Sequence, residues 1–299
     1  MSQEDRVERK ILKISFIFVF FITLFASCKK NDSPSPEPVP EAYSFFVAGH
    51  TYGTPGTDNS GLYPPFQDKF NLINDHLTDL GVLTGDIVPA GTEKNWNEVD
   101  SVLKFLNCKV YFAVGNHDMK NRPLFESRYG KTYFGFIHKD DLFIVLDPNI
   151  DHWNISGEQL SFLKNIIDTS GYKARNIFVF FHQLLWWDKT NKYRNVRLNS
   201  HEDRADTINF WTEVEPLFQN LQNKVYMFAG DIGAASWSDD FMYDQFDNIT
   251  LVASGMGEGK GDNFVFVDVD ETGKVSFELI ALNGDDIHAL GNLEDYILP

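Results

Sequence analysis

Residues 110–118 read Val-Tyr-Phe-Ala-Val-Gly-Asn-His-Asp. An unbroken apolar run rich in β-branched and aromatic residues reads as a strand. The run stops at Gly115, and Asn116, His117 and Asp118 follow at once. The same change of character recurs along the chain. Gly81-Val82-Leu83-Thr84 is followed by Gly85-Asp86, and Phe45-Phe46-Val47-Ala48 by Gly49-His50-Thr51-Tyr52-Gly53. Ile177 to Phe181 runs into His182, and Val225 to Ala229 into Gly230-Asp231-Ile232-Gly233. In open α/β sheets ligands bind where loops leave the carboxyl ends of the strands. Imidazoles, carboxylates and an amide gathered at one such edge are the donors of a divalent-cation site.

Helical patterns separate these strands. Phe66, Phe70, Ile73, Leu77 and Leu80 share one face, with Pro64-Pro65 at the start. Trp96, Val99, Val102, Leu103 and Leu106 mark a second helix, and Ile208, Trp211, Phe218 and Leu221 a later one. Ser156-Gly157-Glu158-Gln159 has the spacing of a capping box ahead of Leu160, Leu163, Ile166 and Ile167. Tyr133 to Ile137 and Leu142 to Leu146 read as two strands turning at Lys139-Asp140-Asp141. From Ile249 onward the pattern is strands alone: Ile249–Ala253, Phe264–Val267 and Val275–Leu282. The expectation is an α/β fold with a central, mostly parallel sheet and an antiparallel layer added by the all-β end.

The chain has 299 residues, 43% of them hydrophobic, including 27 Phe, which suffices for a large core and excludes a disordered or fibrous chain. With 26 Lys+Arg against 43 Asp+Glu the formal net charge is −17, most of it reading as solvated surface. No basic run interrupts the body of the chain, so no nucleic-acid partner is expected. Two cysteines, Cys28 and Cys108, exclude a disulfide scaffold or a cysteine zinc module.

The first residues read as an address. Arg6, Arg9, Lys10 and Lys13 precede a short apolar run, Ile14 to Phe25, that ends in Leu24-Phe25-Ala26-Ser27-Cys28. This arrangement resembles a bacterial lipoprotein signal, residues 1–27, which implies a lipid-anchored mature chain starting at Cys28. Residues 28–41 carry four prolines, Pro34, Pro36, Pro38 and Pro40, and read as an extended tether. A folded domain over 42–299 follows. The expected location is the bacterial cell envelope, on the periplasmic or the cell-surface side of a membrane.

Gly85-Asp86, then Gly115-Asn116-His117-Asp118, then His182 at a strand end, then Gly230-Asp231, resembles the calcineurin-like metallophosphoesterases. The helix start at Ser156 to Leu163, with Gln159, is similar too. The likeness spans about Phe45 to Leu282. It implies a four-layer αββα sandwich with central mixed sheets, and a site holding one or two divalent ions (Mn, Zn, Fe or Mg) that hydrolyses phosphate mono- or diesters of a small molecule or polymer. By that resemblance Asp86 bridges two metals, while Asn116 (through its amide oxygen) and His182 bind the second. His117 contacts the phosphate and protonates the leaving oxygen, and Asp118 fixes the tautomer of His117.

Two motifs depart from the family pattern. Against its Ser-Asp-x-His-Gly, the register Gly49-His50-Thr51-Tyr52-Gly53 puts His50 in place of the aspartate and Tyr52 in place of the histidine. Against its closing Gly-His-x-His stands Gly230-Asp231-Ile232-Gly233. Asp231 retains an oxygen donor, whereas Gly233 has no side chain to offer. The second metal then keeps Asp86, Asn116, His182 and Asp231, and the first has Asp86, His50 and Tyr52. The alternative is a protein of this fold that binds a glycan or phosphorylated ligand without turnover.

Other residues read more plainly. His76 falls on the polar side of its helix as a surface residue, and His138, His152, His201 and His288 stand outside any motif. Trp186-Trp187 after His182 serve either packing or a pocket wall. Cys108 reads as a small buried hydrophobe at a strand start.

Overall fold

The computed structural model describes residues 41–299. The signal, the tether and Cys28 lie outside the described residues, apart from Glu41. Among the described residues no helix is long and apolar enough to cross a membrane.

The strands are β1 (Tyr43–Gly49), β2 (Leu80–Thr84), β3 (Lys109–Ala113), β4 (Phe134–His138), β5 (Asp141–Val145), β6 (Asn176–Phe180), β7 (Lys224–Ala229), β8 (Phe241–Phe246), β9 (Ile249–Ser254), β10 (Asn263–Val269) and β11 (Val275–Ala281). They form two mixed sheets, ordered β11-β10-β1-β2-β3 and β4-β5-β6-β7-β9-β8. β1, β2 and β3 run parallel, and so do β5, β6, β7 and β9. The remaining strands pair antiparallel at the flanks.

The inner strands of both sheets are buried on both faces, whereas the edge strands β3, β4, β8 and β11 are only partly buried. The alternation of side chains decides what each face meets. Phe45 and Val47 point into a central core with Phe143, Phe178, Phe180 and Phe228 of the other sheet. Phe46 and Ala48 point outward, to a core with Phe66, Phe70, Ile73, Trp96 and Val99. In the second sheet Leu142 and Ile144 face Leu163, Ile167 and Phe218. The helices are α1 (Pro64–Gln67), α2 (Phe70–Asp75), α3 (Glu93–Val102), α4 (Arg122–Tyr129), α5 (Gly157–Ser170) and α6 (Glu215–Gln219). The result is the expected αββα sandwich.

Four expectations change. The all-β end does not form a layer of its own: β10 and β11 extend the first sheet, while β9 enters the second, parallel to β7. β8, which the patterning does not reveal, pairs along β9 as an edge strand whose faces are only partly buried. The helix expected over Phe66–Leu80 is two short helices. It stops at His76, where Leu77 takes a left-handed backbone (φ 57°) and faces solvent so that the chain turns into β2 at Leu80. The helix around Trp211 opens with a π-helical turn, Phe210–Val214. Pro216, just beyond, lacks the N–H needed to continue a regular turn.

The capping box is also not formed. The Ser156 hydroxyl donates to Asp151 instead of capping α5 (2.5 Å). The Gln159 amide clasps the backbone of Asp147, accepting from its N–H (2.7 Å) and donating to its carbonyl (3.0 Å). Gln159 therefore fixes the loop leaving β5.

Candidate metal centre

The loops after β1, β2, β3, β6 and β7 meet at one edge, where backbone bonds lock them together. His50 N–H donates to Gly85 O (3.1 Å), Tyr52 N–H to Asp86 O (3.0 Å), and both Gly230 and Asp231 N–H to His182 O (2.9 and 3.0 Å). Two glycines are required by close approach. A Cβ on Gly115 would lie 2.2 Å from the Asp86 carboxylate, and one on Gly85, which has φ +83°, 2.4 Å from the His182 ring. His50 and Asp86 both hold φ 49°, a region that costs a non-glycine residue free energy and persists only where surroundings enforce it.

His50, Asp86, His182 and Asp231 are all at least nine-tenths buried. His50 Nε2 lies 3.7 Å from Asp86 Oδ2. His182 Nε2 lies 3.4 Å from Asp86 Oδ2 and 3.7 Å from Asp231 Oδ1. The other Asp86 oxygen accepts from His117 N–H (3.1 Å), which leaves Oδ2 for the cleft.

Three imidazoles are oriented in one way. Nδ1 of His50 is 3.0 Å from Met256 O, Nδ1 of His117 is 2.8 Å from Pro89 O, and Nδ1 of His182 is 2.8 Å from Thr84 O. A carbonyl only accepts, so each Nδ1 carries hydrogen and donates. Each Nε2 is thereby released from the backbone, the arrangement that prepares histidine for a metal.

His182 gives the test of fit. Its Nε2 is buried and has no hydrogen-bond partner, although it faces two carboxylates. A lone pair facing two anions in a dry site is unstable unless a proton or a cation stands between them. Burial favours the neutral ring, but Asp86 and then Asp231 outweigh it and raise His182 to about 10. Asp86 is held well below the usual carboxylate range: burial alone would raise it, and the imidazoles of His182, His50 and His117 reverse that. Burial, aided by the charges of Asp86 and Glu202 and opposed by His182, raises Asp231 to about 7. Burial lowers His50 to about 4 against the pull of Asp86, so its ring is neutral near pH 7. Neutral imidazole and carboxylate oxygens are the donors a divalent ion takes, so the residues fit one.

Asn116 stands at the rim. Its Nδ2 donates to Glu202 (3.0 Å), which leaves the amide oxygen as the free acceptor. Glu202 was not singled out by sequence, and no local signal marks it; it arrives on the loop 199–204, 86 residues further along. His201 packs against Trp187 (centroids 4.4 Å apart), and the Arg204 guanidinium lies over the rings of Trp153 and Trp187. Thus Trp187 secures the loop that carries Glu202, whereas Trp186 is core, its Nε1 donating to Met242 Sδ (3.2 Å). His201 and His152 hold this loop as well, His152 through Asp203 (2.8 Å).

Two assignments differ from expectation. Asp118 does not meet the His117 ring. It is fully buried and accepts from the N–H groups of Ile87, Val88 and Gly115 (2.9, 3.1 and 2.8 Å), tying the loop after β2 to the loop after β3. The backbone carbonyl of Pro89 takes the tautomer-fixing place. Tyr52 is buried between the rings of His50 and His117 (centroids 4.4 and 5.1 Å). Burial, then Asp86, Asp118 and Asp231, raise its phenol far above the ordinary range, so it stays neutral and is a poor metal donor. His76, His138 and Cys108 lie away from this edge: His76 pairs with Asp268, His138 with Asp79, and Cys108 is half-buried just before β3.

No family model matches the chain. A probable cyclic nucleotide phosphodiesterase of Coxiella burnetii is 31% identical over 127 residues, 40% of this chain and 51% of that protein. The chain thus spans about half the length of this curated relative. A dimetal phosphatase from Danio rerio superposes with a TM-score of 0.57 at 14% identity, covering 81% of this chain and 96% of that one. Purple acid phosphatase PPD1 from yellow lupin (Lupinus luteus) seeds gives 0.59 at 13% identity, covering 85% and 54%. The fold is that of the calcineurin-like metallophosphoesterases.

Proposed function

We propose that the protein is a metal-dependent hydrolase of phosphate mono- or diesters, working in the bacterial cell envelope and held to a membrane by lipid on Cys28. The observation that carries the hydrolytic reading is the unpartnered Nε2 of His182, buried between the carboxylates of Asp86 and Asp231. Asp86, His182 and Asp231, with the Asn116 amide oxygen at the rim, would hold one ion. Asp86 and His50 offer a second, poorer position, because Gly233 has no donor and Tyr52 stays a neutral phenol. The site is therefore altered from the family pattern and offers one ion more donors than the other, with His182 between the two carboxylates. A bound divalent ion supplies positive charge opposite the phosphoryl oxygens.

The chain's own groups do the rest. The Asp86 carboxylate is aimed by His117 N–H, so its free oxygen is presented without reorganisation. Pro89 O holds the His117 ring through Nδ1–H and turns Nε2 to the cleft. Nε2 would first take up a proton, giving the imidazolium, and pass that proton to the leaving oxygen. Asn116, steadied by Glu202, presents its oxygen from the rim. The similarity to a probable cyclic nucleotide phosphodiesterase favours a diester over a monoester.

The test is metal analysis of the purified full chain, paired with turnover of bis(p-nitrophenyl) phosphate and p-nitrophenyl phosphate after chelation and re-addition of Mn or Zn. Turnover should return with metal, be greater on the diester, and vanish in Asp86→Asn. Bound metal without turnover of either ester would replace the hydrolase with a non-catalytic binding protein. For the anchor, Cys28→Ser should release the protein from the membrane fraction; wild-type protein recovered soluble and without lipid refutes it.

A further inference from the structure

A second set of metal-ligating groups lies at the other end of the first sheet. Ser44 pairs with Asp268 near the start of β1, five residues from Gly49 and the cleft, or about 17 Å at the rise of a strand. Asp268 stands opposite Ser276, and Glu278 opposite Phe266, so the two carboxylates are diagonal neighbours across β10 and β11. His76, at the C-terminal end of α2, completes the group. One ligand atom from each of His76, Asp268 and Glu278 lies within 4.8 Å of the others.

The geometry is fixed on one side and adjustable on the other. The His76 ring stacks flat on Phe266 (centroids 4.0 Å, planes 6° apart), which holds Nε2 3.0 Å from Asp268 Oδ1. His288 brings a second imidazole, its Nε2 3.3 Å from Glu278 Oε1. It comes from the segment after β11, which is tied back where Ala281 N–H donates to Ile287 O (2.8 Å). Diagonal like charges across a strand pair repel, and an exposed histidine–carboxylate pair contributes little stability. A divalent ion turns the repulsion into shared coordination.

We infer that His76, Asp268 and Glu278 form a second cation site, distal to the cleft, that takes a divalent ion of the zinc class, with His288 of the segment after β11 held against Glu278 as its outer partner. An imidazole with two carboxylates suits zinc, whereas magnesium and calcium prefer all-oxygen shells. The ligands come from three elements, the end of α2, β10 and β11, so the expected consequence is a stabilised fold.

The test titrates full-chain protein with zinc alone by calorimetry, in an Asp86→Asn/His182→Gln background that disables the cleft. One zinc per chain should still bind and raise Tm. Adding His76→Gln and Glu278→Gln should abolish both effects, and His288→Gln should weaken binding by about tenfold or more. Asp268→Asn, at a half-exposed position, gives an independent arm with the same expected loss, read also by cobalt(II) absorption. Zinc bound with unchanged stoichiometry and affinity in Asp268→Asn or in the His76/Glu278 variant overturns the inference.

Discussion

His182 Nε2 and Asp86 Oδ2 lie 3.4 Å apart without a hydrogen bond, although both are buried and Nδ1 of the same ring is already committed to Thr84 O. The pair is poised for something between them, and Asp231 faces it from a third loop. On the proposed function, a proton and a divalent ion would compete for that place.

Stability against pH should expose the competition. His182 is raised to about 10 from 6.5, so between these values the folded chain binds more protons than the unfolded one. By linkage, the metal-free protein then loses stability as pH rises from about 6.5 to 10. An ion that displaces the proton binds more tightly over the same range. Thermal melts with and without Zn or Mn should therefore diverge as pH rises. Parallel curves would show that His182 is not the shared position.

Asp118→Ala should destabilise the protein and leave its chemistry alone. Three buried N–H groups lose their acceptor, at about 1–3 kcal/mol for each group left unsatisfied. Denaturant titration should show the loss. Protein that remains folded should keep the wild-type pH–rate profile, because Pro89 O, not Asp118, holds His117. A displaced profile would restore Asp118 as the partner of His117.

Gly115→Ala should abolish metal binding by steric displacement alone. The new methyl would sit 2.2 Å from Asp86 Oδ1, against a carboxylate pinned by His117 N–H. The expected result is a Tm lower by several degrees, for a cost of about 1–3 kcal/mol, together with loss of bound metal. Metal content equal to wild type would show that Asp86 has room to move.

Glu202→Ala should act on the rim and spare stability. Asn116 loses the partner that turns its oxygen free, so metal affinity or kcat/KM should fall by about tenfold. Glu202 lies on an exposed loop, so Tm should stay near the wild-type value. A large fall in Tm with unchanged affinity would make Glu202 a structural residue.

The strand ends were legible in the sequence because each strand is a continuous apolar run, forced by burial on both faces in β1, β2, β6 and β7 and kept in the half-buried edge strand β3. The first polar residues after it fall at the sheet edge whatever the rest of the chain does. That reasoning placed His50, Asp86, Asn116, His182 and Asp231 at one edge before any contact was known. It also carried the sandwich, through the family resemblance of the motifs. Weakly patterned elements stayed hidden: β8 is a half-exposed edge, and the end of α2 depends on one left-handed residue, Leu77.

What each group does there was decided by tertiary structure. The carbonyls that orient His50 and His182 come from residues 206 and 98 positions away. A backbone carbonyl is present at every residue and leaves no mark in sequence, so which nitrogen faces the cleft cannot be read from the chain. Asp118 and Gln159 likewise stood inside recognisable motifs, yet their partners are backbone groups of neighbouring loops. Glu202 reaches Asn116 only because Trp153, Trp187 and Arg204 pack the loop into place. Side-chain type and periodicity are local and survive in the sequence. Hydrogen-bond partnership depends on distances of about 3 Å between remote segments, which only the packed chain sets.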